Sequence, residues 1–240
     1  MVIKGEFSFL KEKKHRISFV GAGGKTTLMY ALARRFAENG ARTLITTTTH
    51  IYRPEGDVWA RSPEAAESLW RRGFYAVAGR PDGDGPPEKL AALPEQELNM
   101  YIGMADIVLI EADGAKRMPC KVPEGHEPVI PEACDIVIGV MGMKALGKPL
   151  ETVCFRREEA IRLLGAAPTD IMTADMMVKI LASEKGTRKN VGKRDYYVVL
   201  NQCDSEEDIR AGEQIGEALE AQGITQWVMT RFGRPSEREG

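Results

Sequence analysis

The sequence predicts a three-layer α/β fold, in which helices cover both faces of a mainly parallel β-sheet. Two observations lead to this prediction. Continuous apolar runs without strict alternation recur along the chain, as in strands that are buried on both faces. Amphipathic stretches with helical spacing follow several of these runs after glycine or polar turns. The apolar runs lie at 17–20, 43–46, 107–110, 136–140, 197–200 and 227–229.

Size and composition favour one domain that spans residues 1–240. The chain has 240 residues, of which 43% are hydrophobic and 28% are charged, so it can bury a sizeable core. A net charge of −2 argues against a protein that coats nucleic acid. No apolar run approaches the roughly 20 residues that a membrane span needs, and the amino terminus lacks the order of a signal peptide. We therefore expect a cytoplasmic protein with no nucleic-acid or membrane partner.

The helices are predicted from their apolar spacing and from their end signals. A helix over 26–38 is expected to stop at Asn39 and Gly40. Another is expected over 205–222, where Ser205 and the acids after it are typical of a helix start. Two further stretches, 157–164 and 173–183, are predicted to be helical and to form a small helical insertion before the last strands.

Three segments are less regular. Residues 52–99 contain a possible strand at 74–78 and a turn-rich stretch, and we interpret them as an insertion or flap. Residues 116–131 carry four prolines among polar side chains, which predicts a long, stiff loop. Compact domains seldom keep such a loop without a use for it. The tail 233–240 is predicted to be frayed.

The strongest chemical signal is a glycine-rich turn between the first buried strand and the first helix. Backbone amides in such a turn form an anion nest, and the helix start adds positive potential. Lys25 is expected to face solvent and to reach the terminal phosphates, and the Thr26 hydroxyl to bind magnesium. The loop has the short GxxGKT spacing; a plain structural turn is the alternative. Its residues are Gly21, Ala22, Gly23, Gly24, Lys25, Thr26 and Thr27.

Two carboxylates follow the apolar strand at 107–110. Glu111 and Asp113 are two residues apart and so share a face of an extended strand. Acids at the carboxyl end of a strand beside a phosphate loop hold magnesium or orient an attacking water. We predict that both are catalytic and bind the metal together with Thr26; a solvated acidic turn is the alternative.

A third element follows the strand at 197–200. Asn201 and Asp204 resemble part of the NKxD element that reads a guanine edge, although Gln202 stands in the place of its lysine. The same two residues could equally cap the helix that begins near Ser205. Both interpretations, nucleotide-base reading and helix capping, are open at the level of sequence.

Polar residues that leave predicted strand ends are candidates for contact with an acceptor or partner, because ligands of open parallel sheets bind at the carboxyl ends of the strands. A structural role is the alternative for each, and metal ligation by the two histidines is left open. The candidates are Thr49, His50, Lys116, Lys121, His126 and Glu127. The cysteines form no CxxC pair and are read as reduced thiols, with a lesser chance of a role for Cys120.

Taken together, the motifs resemble those of the selenium-dependent hydroxylase accessory protein family, also called YqeC. The resemblance spans nearly the whole chain. The segments that carry it are 20–27, 46–50, 111–116, 119–123, 126–131, 146–149 and 200–204. It implies a P-loop NTPase-like fold that binds a nucleoside triphosphate and takes part in the maturation of selenium-dependent molybdenum hydroxylases.

The residues and the resemblance together predict Mg²⁺-dependent binding and slow hydrolysis of ATP or GTP. The expected partners are the nucleoside triphosphate and a molybdenum hydroxylase or its cofactor precursor. Two alternatives are kept open. One is an ATP-dependent ligase or kinase that acts on a small acceptor, because the short loop also resembles that of the Mur and folate ligases. The other is a non-catalytic chaperone in which the nucleotide only switches the conformation.

Overall fold

A computed structural model describes residues 2–11, 14–54, 56–83 and 88–232. The predicted tail at 233–240 lies outside these residues. The strands in the described ranges are β1 (Val2–Lys4), β2 (His15–Gly21), β3 (Thr43–Thr47), β4 (His50–Tyr52), β5 (Ala76–Val77), β6 (Arg80–Pro81), β7 (Lys89–Ala91), β8 (Ile107–Glu111), β9 (Cys120–Lys121), β10 (Ile136–Gly142), β11 (Cys154–Phe155), β12 (Asp195–Asn201) and β13 (Trp227–Thr230).

Helices alternate with these strands along the chain. The α-helices of the described residues are α1 (Lys25–Glu38), α2 (Pro63–Arg71), α3 (Glu95–Met104), α4 (Leu150–Val153), α5 (Arg157–Leu164), α6 (Ala174–Ala182) and α7 (Glu206–Glu220). The helices predicted at 26–38, 157–164, 173–183 and 205–222 are thereby confirmed within a few residues. Within the described residues, no helix is both long and apolar enough to cross a membrane.

A large, mainly parallel sheet forms the centre of the molecule. Eight strands of the described residues run in the order β1-β13-β12-β10-β2-β8-β3-β5, and only β1 is antiparallel to its neighbour. The parallel register places Phe19 of β2 opposite Glu111 of β8, and Glu111 opposite Thr47 of β3. The carboxyl ends of these three strands therefore meet at one edge.

Both faces of the sheet are covered, which confirms the three-layer α/β prediction. On one face, Ile17 and Phe19 pack with apolar residues of α1 such as Leu32. On the other face, Val108 and Ile110 pack with α2 and α3. Further along that second face, residues of β10 and β12 pack with α6 and α7. This double burial explains why the strands are apolar without alternation.

The less regular segments have structure of their own. Within 52–99, β5 joins the edge of the main sheet next to β3, while β6 and β7 form a separate three-stranded sheet with β4. The treatment of 52–99 as an insertion or flap stays a prediction. The loop at 116–131 includes strand β9, which pairs in parallel with β11. This pairing was not expected from the proline content, because it depends on a partner more than thirty residues later.

Helix α7 lies unusually close to β13. A Cβ at Gly216 would lie 2.4 Å from ring atoms of Trp227, and a Cβ at Gly212 would lie 2.5 Å from the sulfur of Met229. The indole is held in place because its Nε1 donates a hydrogen bond to Glu220, at 2.7 Å. The absence of a side chain at Gly216 therefore sets how closely this helix packs on the sheet.

We predict that Gly216→Ala lowers the free energy of unfolding by about 1–3 kcal/mol, because the new methyl group overlaps a restrained ring. Alanine is normally preferred to glycine inside a helix by about 1 kcal/mol. Gly103→Ala in α3 is the matched control, since a Cβ there meets nothing within 4 Å. Urea unfolding measures both variants. Equal or higher stability of Gly216→Ala would contradict the close packing of α7 on β13.

Candidate functional site

The glycine-rich turn joins β2 to α1 and needs its glycines for steric reasons. Gly21, Gly23 and Gly24 have φ angles of 88°, 87° and 109°, which L side chains rarely adopt. A Cβ at Gly23 would lie 2.2 Å from the amide nitrogen of Gly142. Helix α1 begins without a side-chain cap and without an acidic residue in its first turn. The helix start is therefore open to a negatively charged ligand.

Within this turn the amides fall into two groups. Those of Gly21, Ala22 and Gly23 already donate to Asp113 Oδ2 at 3.1 Å, to the Val140 carbonyl at 2.8 Å and to the Met118 carbonyl at 3.0 Å. These three amides therefore do not form the anion nest that the sequence predicts, because each already donates to a protein oxygen. The amides that donate no hydrogen bond to any described residue are those of Gly24, Lys25, Thr26 and Thr27. The amides left free to meet an anion are therefore those of the first turn of α1.

Lys25 is buried, which corrects the expectation that it faces solvent. Only 3% of its side chain is exposed; its Nζ lies 2.9 Å from Asp113 Oδ1 and donates to the Gly21 carbonyl at 2.5 Å. The side chain turns back over the loop because the carboxylate of Asp113 lies directly beside it. Lys25 is thus the ion-pair partner of a buried acid in this structure.

Glu111 lies on the other side of the loop. Its Oε2 accepts a hydrogen bond from the Thr26 hydroxyl at 2.9 Å, and its carbonyl accepts from the Thr47 hydroxyl at 2.9 Å and from the Thr48 amide at 3.1 Å. Burial raises the pKa of Glu111, and the nearby charge of Lys25 and the Thr26 hydrogen bond only partly oppose this. The structure thus brings Thr26, Glu111 and Asp113, the predicted metal ligands, to one loop.

Lys121 is fully buried, which corrects its prediction as an exposed contact for an acceptor. Its Nζ donates to the Gly114 carbonyl at 2.6 Å, and it lies 2.8 Å from Glu127 Oε2 and 3.3 Å from Asp113 Oδ2. Burial alone would raise the pKa of Glu127, but the hydrogen bond and charge of Lys121 outweigh it and lower that pKa. Glu127 is also buried, so neither side chain is a surface contact.

The side chain of Asn201 bonds to the glycine turn and not to the helix that follows Asn201. Its Nδ2 donates to the Gly23 carbonyl at 2.7 Å, and its Oδ1 accepts from the Thr230 hydroxyl at 2.8 Å. A buried amide engaged at both ends is poorly placed to read a nucleotide base. The capping interpretation is wrong, because Ser205 and Asp208 form the capping box of α7. Base reading by Asn201 stays a prediction.

Asp204 lies at the surface near this edge of the sheet. Its carboxylate is 2.9 Å from Nζ of Lys144, and 42% of its side chain is exposed. No described contact ties it to the glycine turn. Reading of a guanine edge by Asp204 stays a prediction.

The remaining predicted contacts are spread around the crevice. Thr49 lies 3.4 Å from Thr47 through their hydroxyls, and His50 on β4 lies 3.2 Å from Asp82. His126 is 72% exposed and 3.8 Å from Glu124. Lys116 lies over the ring of Phe155, 5.3 Å from its centroid. Among the residues that the structure describes, no three His, Cys, Asp or Glu side chains form a metal-binding group, and the two histidines lie beside different acids.

The cysteines of the described residues are free and buried. Cys120 of β9 and Cys154 of β11 are register partners. Their mutual hydrogen bond, together with burial, raises the pKa of the Cys120 thiol. A thiol of this kind is a poor nucleophile at neutral pH, which favours the structural interpretation of Cys120.

Sequence reasoning missed two residues of this region. Arg156 pairs with Glu124 at 2.9 Å and lies 3.8 Å from Glu127, which holds the loop at 116–131 from outside. Gly142 at the end of β10 allows the glycine turn to approach, since a Cβ there would lie 3.1 Å from Gly23 Cα. A glycine at the end of an apolar run, as at Gly142, could have indicated a close approach of the backbone. The residues around Arg156 in the sequence do not indicate its partners.

Comparison with known proteins agrees with the motifs. Residues 17–158 match the model of the family described as "YqeC protein". A curated relative, "Uncharacterized protein YqeC" of Escherichia coli (strain K12), is 34% identical over 205 residues. The aligned region covers 79% of this chain and 77% of the relative. The range matched to the family contains the glycine turn, both acids at the end of β8 and the loop at 116–131.

We predict that Lys121→Met lowers the free energy of unfolding by about 3–5 kcal/mol, because it leaves Asp113 and Glu127 short of a buried partner. Lys116→Met is the matched control; the exposed contact with Phe155 is worth only about 0.5–1 kcal/mol. Urea unfolding compares the two variants. Similar small losses in both would show that Lys121 is not the ionic centre of this loop.

A second prediction concerns pH. Because the folded-state pKa of Glu111 is raised above its ordinary value of 4.5, the native state retains this proton longer than the unfolded chain. Stability therefore falls as pH rises from about 4.5 through the raised pKa. Glu111→Gln lacks this loss and still accepts from Thr26, so its melting temperature in chelator-containing buffer should exceed that of the wild type at neutral pH.

This advantage of Glu111→Gln should shrink as the pH is lowered toward about 4.5, where the wild-type carboxyl group is also protonated. Thermal unfolding across that range measures it. Glu184→Gln, at an exposed position, controls for the loss of one negative charge. A melting-temperature difference that stays constant with pH would contradict the assigned burial effect.

Proposed function

The chain belongs to the YqeC family, and from that premise we propose that it is a magnesium-dependent nucleoside triphosphate-binding protein of the P-loop NTPase type. It hydrolyses ATP or GTP and acts in the maturation of selenium-dependent molybdenum hydroxylases. The observation that carries the proposal is the first turn of α1, where four amides donate to no described residue, next to Lys25 and two carboxylates.

The first turn of α1 fits the phosphates. Free amides at a helix start, the positive end of the helix dipole and the absence of acidic residues in that turn all favour an anion. Lys25 lies within the same loop and carries the positive charge that terminal phosphates need. The amides of Gly24, Lys25, Thr26 and Thr27 are the proposed phosphate ligands.

Oxygen ligands for magnesium lie beside this turn. The Thr26 hydroxyl and the carboxylates of Glu111 and Asp113 are hard donors, and magnesium is commonly held by one or two carboxylates together with phosphate oxygens. Glu111 is a buried acid whose charged form is disfavoured by burial, so a bound cation would stabilise it. When bound, magnesium would neutralise the phosphate charge during transfer.

Lys25 would have to leave Asp113 in order to reach a phosphate. Asp113 would then keep Lys121 and the Gly21 amide as partners, so the exchange does not leave a buried carboxylate bare. Asn201 holds the Gly23 carbonyl and thereby the shape of the turn. Asp113 and Glu111, placed at the loop, are the proposed groups that orient an attacking water.

The role in hydroxylase maturation rests on the family resemblance of the motifs. The proposed partner is a molybdenum hydroxylase or its cofactor precursor. Phosphate release, measured with and without the target hydroxylase, separates the remaining classes. Slow release that the hydroxylase accelerates supports the proposal, dependence on a small acceptor supports a ligase or kinase, and no release in any condition supports a nucleotide-switched chaperone.

Nucleotide binding itself has a direct test. Lys25→Ala should weaken the binding of ATP and GTP in magnesium buffer by about 10- to 150-fold, because it removes a charged hydrogen bond to phosphate. Titration calorimetry measures the affinity. Lys185→Ala, at an exposed position outside the glycine turn, is the control and should bind as the wild type does.

A check of folding accompanies this measurement. Circular dichroism checks that Lys25→Ala is folded, which we expect because Asp113 keeps Lys121. Affinities of the folded variant that match the wild type for both nucleotides would refute the P-loop proposal.

A further inference from the structure

Aromatic rings and cations alternate along the surface beside the small three-stranded sheet. The guanidinium carbons of Arg53 and Arg61 lie 4.2 and 4.4 Å from the ring centroid of Trp59. The guanidinium carbon of Arg117 lies 4.9 Å from the ring centroid of Tyr52, the residue directly before Arg53. This row reaches from the edge of the main sheet to the loop that follows Asp113.

The arginines of this row, and Arg80 beside them, have no acidic partner among the described residues. Within 2–11, 14–54, 56–83 and 88–232, no carboxylate forms an ion pair with Arg53, Arg61, Arg80 or Arg117. Two guanidinium groups over one ring repel each other, and a bound anion would relieve that repulsion. The positive charge is therefore available to a ligand.

A groove of about 320 Å³ opens beside Trp59. This volume lies at the lower end of the range for small-molecule sites. Its character is mixed, with cations, apolar surface and a single acid. The side chains that define it are Trp59, Arg61, Arg80, Pro81, Leu93 and Glu97. The indole is fixed in place because its Nε1 donates to the Gly79 carbonyl at 3.1 Å.

The groove lies at the ligand-binding edge of the sheet. Gly79 and Arg80 follow closely on the end of β5, which runs parallel to β3. The strand with the glycine turn, β2, is three places away in the order β2-β8-β3-β5, or about 14 Å at roughly 4.8 Å for each step. The carboxyl ends of parallel strands form the ligand crevice of such folds. The groove shares no residue with the nucleotide site.

We propose that this groove binds a small organic anion, a carboxylate or phosphate ester carried on a flat ring. Arg61 and Arg80 bind the oxyanion, since guanidinium groups match the planar geometry of carboxylate and phosphate oxygens. Leu93 and Pro81 contact the ring. The site goes beyond the proposed nucleotide binding and does not depend on it, because every residue involved lies outside the glycine turn.

Calorimetry of the full chain with naphthyl phosphate, naphthoate and neutral naphthol tests the proposal. At least one of the two anions should bind more tightly than naphthol. Replacing both Arg61→Gln and Arg80→Gln should weaken that binding by about tenfold or more, because two charged contacts are lost. The control pair, Arg34→Gln with Arg35→Gln, removes the same charge from the exposed surface of α1 and should stay within about twofold.

The outcomes separate the sources of the anion. A preference for naphthyl phosphate identifies a phosphate ester, and a preference for naphthoate identifies a carboxylate. Anions that bind no better than naphthol, or binding that the Arg61 and Arg80 changes leave intact, would overturn the proposal. ATP affinity, measured on the same double variant, should equal that of the wild type. A protein that does not bind ATP would fail only this ATP measurement, and the naphthyl titrations would still test the groove.

Discussion

The buried carboxylate of Asp113 is the point on which the site depends. It contacts the amide of Gly21, the ammonium group of Lys25 and the ammonium group of Lys121. Through them it joins the glycine turn, the first helix and the loop at 116–131. The loop at 116–131 is far in sequence from the glycine turn and the first helix, and one acid at a strand end sets their relative positions.

These buried charges are stable only when all of their partners are present. A charge taken out of water must be matched by partners of opposite sign and by hydrogen bonds, and loss of one partner costs more than the pair contributes. The series Lys25, Asp113, Lys121 and Glu127 alternates in sign and is nearly closed to solvent. Because Asp113 has two lysine partners, one of them can change its partner without leaving the acid uncompensated. This redundancy would let Lys25 leave Asp113 for the phosphate of the proposed nucleotide.

The sheet edge carries two kinds of binding chemistry. Near β2 and β8 the chain offers backbone amides, a hydroxyl and carboxylates, which suit phosphate and a hard cation. Near β5 it offers guanidinium groups and aromatic rings, which suit a planar organic anion. The strand order separates the two regions by β8 and β3. The two proposed sites therefore share no side chain.

Local patterns in the sequence were sufficient for the layered α/β fold, the strand-to-helix glycine turn and the position of Glu111 and Asp113 at a strand end. These features depend on residues that are close in the chain, and burial on both faces leaves a continuous apolar run wherever it occurs. The helix cap at Ser205 was readable for the same reason.

Only the tertiary structure decided which charged side chains are buried and with whom they pair. Lys25 and Lys121 look like surface cations because lysine is seldom buried without a partner, and the shared partner, Asp113, lies 88 and 8 residues away in the chain. Asn201 likewise reads as a base-recognition or capping residue until its contact with Gly23 is seen. Burial depends on long-range packing, and no short sequence window contains both Lys25 and Asp113.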